Sequence, residues 1–291
     1  MAPIAICASQ LTSNPKHQKS NLLVIPLGRT EFPSSKDELA LALDEALHRY
    51  IPKNGRIVEV RARVFPYLDE IAINIDGAKL DLLPPPPSPI AGDVKQAFEA
   101  GFVSLSARNI SIRGVPAEAR MELRDVIFDK ALNENGEVTL LLKRARDGQL
   151  VISASQLELE EAILKIGGAE AKRHGIVIEQ VRLATRARGR RSLGADVRIQ
   201  ARKFLLRAKI EIYGQMDIDG DFTARVSQLK CNSDGAIGSL ACGALKPFFD
   251  EVMGNSFSLR SLPLGEMQIR DLHVAVADTI AITVDLGSAT E

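Results

Sequence analysis

The residues able to do chemistry in this 291-residue chain are few, and the densest set is basic. Between positions 182 and 209 stand Arg182, Arg186, Arg188, Arg190, Arg191, Arg198, Arg202, Lys203, Arg207 and Lys209, against one acid, Asp196. The run Arg186-Ala-Arg188-Gly-Arg190-Arg191 combines a turn-forming glycine with four guanidinium groups. It suits anionic oxygens such as lipid headgroups, where each cation contributes about 1 kcal/mol near a charged surface. The neighbouring positions Val197, Ile199 and Ala201 alternate with polar ones, so these cations also fit a solvated strand face; both readings stand. Single-stranded nucleic acid calls for aromatic platforms among the cations. Only Phe204 and Tyr213 are near, so no nucleic-acid partner is expected.

Asp217-Ile-Asp219-Gly-Asp221 resembles a string of oxygen ligands. An EF-hand loop, however, puts Gly sixth and Glu twelfth, whereas here Gly is fourth and Gln228 twelfth, which reads as a hairpin turn. The four histidines are scattered, no C-x-x-C occurs, and Gly-rich phosphate loops and a G-x-S-x-G elbow are missing. No catalytic residue, metal or cofactor is therefore assigned, and a non-enzymatic protein is expected. Cys231 and Cys242 stand where a bridge would join a strand end to the next helix, or where two thiols would be buried. A bridge would imply an oxidising compartment.

Charge balance removes long-range steering as a theme: 37 basic and 37 acidic residues cancel. Aromatics make up 4 % and Trp is absent, so strand interiors must be filled by Val, Ile, Leu and Ala. A cavity built from these would be apolar and poor in hydrogen-bonding handles. No run reaches the eighteen or so apolar residues of a transmembrane helix. Residues 1–30 lack Asp and Glu and read as a flexible tail or targeting segment.

Three helices must position these groups. The first is expected over 36–50, capped by Ser35 with Glu38, its stripe formed by Leu39, Leu43, Ala46, Leu47 and Tyr50. The second, 156–166, opens on Ser155 with Glu158, presents Leu159, Ile163 and Ile166, and stops at Gly167-Gly168. The third, about 236–253, carries Leu240, Leu245, Phe248, Phe249 and Val252, with Pro247 kinking it. Six Asx–Gly pairs (54–55, 76–77, 135–136, 147–148, 219–220 and 234–235) punctuate Val- and Ile-rich runs and point to antiparallel hairpins. The prolines within 84–89 read as a stiff connector, followed by a short helical stretch over 93–100. The expected fold class is α+β: a strongly curved antiparallel β-sheet wrapped around amphipathic helices, forming one elongated domain over 31–291.

From Ser155 to Leu286 the pattern resembles the LmeA-like family of phospholipid-binding envelope proteins in the tubular lipid-binding superfamily. The likeness rests on the capped helix Ser155 to Leu164, the hairpin Gly214 to Leu229, the helix from Ala236, and Leu262-Pro263-Leu264-Gly265 before the last strands. Residues 35–80 look like that family's opening helix and strands. The resemblance implies a tubular, BPI-like wrap enclosing an apolar groove for acyl chains, and hence binding or transfer of a phospholipid or fatty acid. The groove would be lined by Leu39, Leu43, Leu47, Leu159, Ile163, Ile166, Leu240, Leu245, Phe248, Phe249 and Val252. Arg186, Arg188, Arg190 and Arg191 would face an anionic membrane surface, at the periphery of a cell envelope or organelle membrane. The alternative is a structural or protein-interaction module of the same fold with a filled core.

Overall fold

The computed structural model describes residues 23–81, 88–173, 175–204 and 206–288. The first half of the chain supplies β1 (Val24–Pro26), α1 (Lys36–His48), β2 (Val58–Arg61), β3 (Tyr67–Asn74), β4 (Lys79–Leu80), β5 (Lys95–Ile112), β6 (Val115–Leu132), β7 (Val138–Arg144) and β8 (Asp147–Ser155). Next come α2 (Gln156–Arg173), β9 (Val177–Gly189), β10 (Ser192–Lys203), β11 (Leu206–Ile218), β12 (Thr223–Ser233), α3 (Gly235–Gly254) and β13 (Ser256–Ser258). A single 3-10 turn, Leu259–Ser261, leads to β14 (Met267–Val276) and β15 (Thr279–Ser288).

Two sheets result. The first has ten strands, with the path β14-β15-β8-β6-β5-β3-β2, and the second has five, in the order β13-β12-β11-β10-β9. The second is an insertion: the chain leaves the first sheet at β8 and re-enters it at β14.

The spine of the first sheet is the β5–β6 hairpin. Arg113 and Gly114 have φ of 51° and 80°, the two left-handed positions of a type I′ turn. β7 and β8 both pair with β6, and between them, opposite Asp125 (φ 47°), the sheet forks. β7 continues into β1, and β8 into β15. Helix α1 starts where the sequence places it. The Ser35 hydroxyl accepts from the Glu38 N–H at 3.2 Å, and the Glu38 carboxylate reaches back to Ser34 rather than to Ser35. Leu39, Ala42, Leu43 and Ala46 are buried in one core with Phe98, Leu123 and Leu140, and Leu47 and Tyr50 pack half-buried against it.

Several expectations are corrected. The fold is mostly β, and neither sheet closes or curls around a helix; the wrapped α+β tube is not what this chain forms. The physical reason is that the three apolar stripes do not share one interior. α1 serves the first sheet, whereas α2 lies mainly along β9, touching β6 and β8 less, and α3 lies on β11 and β12. Pairing is not purely antiparallel either, because β3 and β4 run parallel to β5. The return connection, residues 81–94, is long enough for a parallel pair, and its prolines 84–87 lie outside the described residues. Residues 95–100 are strand rather than helix, since β6 claims them as partners. α2 passes through Gly167-Gly168 to Arg173, and Gly175 (φ 69°) follows it. Of the Asx–Gly pairs, only 135–136 and 219–220 join antiparallel neighbours. Gly148 lies within β8, where a Cβ would sit 2.4 Å from a Leu123 methyl. Most of the expected tail, residues 1–22, lies outside the described residues, and Val24–Pro26 is strand.

Candidate functional site

The second sheet has an apolar face and a charged one. Residues directly opposite in adjacent strands share a face, and Val197 pairs with Leu183 and Ile212. Val181, Val197, Ala201, Ala208 and Ile210 of that face are all buried. Arg198 pairs with Arg182 and Glu211, and Arg202 with Arg207, which puts most of the basic run on the other face.

Helix α2 guards the sheet's edge. β9 is a terminal strand whose outward N–H groups would otherwise be free. The Glu160 carboxylate accepts the Leu183 N–H at 2.7 Å, and the Gln156 side chain accepts that of Thr185 at 3.3 Å. Helix α3 is tied to its strand by the Cys231–Cys242 disulfide, Cα–Cα 5.6 Å.

The expected groove residues divide into two groups. Leu39 and Leu43 are buried in the first-sheet core, with Leu47 packed against it. Leu159 and Ile163 are half-buried on α2, and Leu245, Phe248 and Val252 half-buried on α3, where Phe249 is buried. Ile166 and Leu240 face outward, 44 % and 75 % exposed, as do Leu157, Leu164 and Met253. Stripes expected to meet across one gap thus lie on two separate layers. Two open clefts form on the first sheet instead. One, of about 540 Å³, is lined by Tyr67, Glu99, Asp125, Arg144 and Arg146, and the other, of about 350 Å³, by Phe32, Lys130 and Leu132.

The expected headgroup arginines are engaged elsewhere. Arg186 pairs with Asp196, and Arg188 stacks on Tyr213 with 5.9 Å to the ring centre. Arg190 and Arg191 both pair with Asp271 of β14, Arg191 at 3.1 Å. Arg191 also lies 4.6 Å over the Phe222 ring and donates to the Leu272 carbonyl at 3.2 Å. The backbone adds to the joint: the Arg190 carbonyl accepts the Val274 N–H of β14, while the Arg191 carbonyl holds the turn to its own sheet by accepting the Ile218 N–H, both at 2.9 Å. The hydrogen bond from Arg191 holds the Asp271 carboxyl below the usual carboxylate range. The β9–β10 turn is therefore a clamp between the two sheets.

At the opposite end of the same strands, the β10–β11 turn carries Phe204 with φ 54°, 84 % exposed. A left-handed backbone costs a side-chain-bearing residue about 1–2 kcal/mol, and nothing around Phe204 buries it in return. The signal was present in the sequence as the apolar triplet Phe204-Leu205-Leu206 between Lys203 and Arg207. Sequence reasoning missed it because Phe204 also reads as the start of a strand.

Asp219 shapes the β11–β12 turn by accepting the N–H groups of Asp221 and Thr223, at 3.0 and 2.9 Å. Among the described residues no cluster of three His, Cys, Asp or Glu side chains is arranged to hold a metal, and no helix is long and apolar enough to cross a membrane. Comparison with family models, curated proteins and solved structures finds no match for this chain.

Proposed function

We propose that this protein binds an acyl-chain lipid, a phospholipid or fatty acid, without transforming it, and that the second sheet with its two helices makes the contact. One observation supports this above the rest. Helix α1 buries Leu39 and Leu43 and leaves one large apolar side chain, Leu41, exposed, whereas α2 and α3 leave Leu157, Leu164, Ile166, Leu240 and Met253 facing outward. Covering such a side chain with hydrocarbon yields about 1.5–3 kcal/mol, and each lipid methylene about 0.8 kcal/mol, without directional polar contacts. The resemblance of the polarity pattern to the LmeA-like phospholipid-binding family is the second support for this ligand class. The filled core of the first sheet favours the competing reading, an interaction module with no ligand.

Native mass spectrometry and solvent extraction of the purified protein separate the two. Phospholipid or fatty acid retained in near-equal amount, and lost in the Ile166→Asp/Leu240→Asp double variant, is the expected result. A lipid-free protein that also fails to take up a fluorescent fatty acid would refute the reading.

A further inference from the structure

Strands β10 and β11 pair up to Lys203 opposite Leu206, with Arg202 opposite Arg207 one rung behind. The turn beyond is the apex of the second sheet at the end away from the Asp271 clamp. Its apolar surface is built from Phe204 at the tip, Leu206 at 65 % exposure, and Val177, which pairs with Arg202 on the neighbouring strand. Behind this apex stands a cationic collar of Arg202, Lys203, Arg207 and Lys209. Glu179 is shared by two of these, at 2.9 Å from Arg202 and 3.9 Å from Arg207.

We infer that the β10–β11 tip docks onto an anionic bilayer, Phe204 entering the interfacial region while the collar meets headgroup phosphates and carboxylates. Three arguments carry this. The turn holds a large aromatic side chain 84 % exposed, which suits a deformable hydrocarbon surface. The spacing fits: at no more than about 3.4 Å per residue, Arg202 lies within about 7 Å of Phe204, inside the 5–10 Å to which apolar groups enter the headgroup boundary. Finally, Phe204 occupies a left-handed turn position that Asn or Gly fills without strain, so the fold alone does not account for an aromatic there. The inference concerns attachment to the bilayer surface and stands apart from whether the protein retains a lipid in solution.

The test uses sedimentation with phosphatidylcholine vesicles, with and without phosphatidylserine. Wild-type protein should bind the phosphatidylserine vesicles and release as salt is raised. Phe204→Asn should bind about tenfold more weakly while melting at the same or a higher temperature, because Asn accepts the backbone conformation. Binding thus falls with no loss of stability, which a structural role for Phe204 does not produce. Arg202→Ser with Arg207→Ser should abolish the preference for phosphatidylserine. Since the chain contains no tryptophan, Phe204→Trp is a unique reporter whose emission should shift to the blue on adding vesicles. Unshifted emission, undiminished binding by Phe204→Asn, or self-association in light scattering that Phe204→Asn abolishes would each overturn the proposal, the last by assigning the tip to a second copy of the chain.

Discussion

Arg191 and Asp271 meet at 3.1 Å across the boundary between the two sheets, eighty residues apart in sequence. The guanidinium is only 28 % exposed and at the same time covers the Phe222 ring. Its neighbour Arg190 shares the carboxylate but is 71 % exposed and, among the described residues, stacks on no ring. Arg191→Ala should therefore cost about 1–2 kcal/mol in urea unfolding, and Arg190→Ala within about 0.5 kcal/mol. Equal effects would show that the stacking adds nothing.

Glu160 protects an edge. Replacing it with Ala leaves the Leu183 N–H without its acceptor, a loss of about 1 kcal/mol. It also opens β9 to pairing with other chains. Glu160→Ala should aggregate faster on heating, measured by turbidity, and Glu160→Gln, which keeps an acceptor oxygen, should behave close to wild type.

The Cys231–Cys242 bridge closes a short loop between β12 and α3, with a sequence separation of 11. Constraining so short a loop in the unfolded chain is worth about 2–3 kcal/mol. Reductant, or Cys231→Ser with Cys242→Ser, should lower the melting temperature accordingly. An unchanged melt would mean that the bridge contributes nothing to the fold.

His48 should make stability depend on pH. Its Nδ1 faces the Asp44 carbonyl at 2.8 Å and its Nε2 the Lys53 carbonyl at 3.0 Å, so only the protonated ring can donate to both. The Asp44 carbonyl, against the opposing pull of burial and with help from the Asp44 carboxylate, raises its pKa above the ordinary 6.5. The contribution is complete below about pH 6.5 and is lost as pH rises through the raised value. NMR titration should find the shift upward, and His48→Ala should flatten stability across that interval.

Local chemistry was legible where it decided the structure locally. The Ser35 cap, the alternation of Val197, Ile199 and Ala201 with polar neighbours in β10 and the Asn135-Gly136 turn all announce themselves, because neighbours a few residues apart settle them. Residues 95–100 do not: Ala97, Phe98 and Ala100 are compatible with a helical face, and only pairing with β6 makes them a strand. The parallel union of β3 with β5 is equally silent, since nothing in 67–74 names its partner. At the candidate surface the arginines are plain in the sequence, yet their roles depend on distant groups. Arg190 and Arg191 become a clamp only because β14 brings Asp271 to them. Phe204 stands exposed only because the β10–β11 ladder ends one residue before it.

The insertion of the second sheet between β8 and β14 has a consequence for assembly. Pairing Ser155 with Thr279 spans more than a hundred intervening residues, a costly closure for a disordered chain. If β9 to β13 with α2 and α3 collapse first, most of that closure is already made, and the host lattice then needs only a short zip. The guest acts as a template for its host, with the Arg191 clamp as the catch that signals completion.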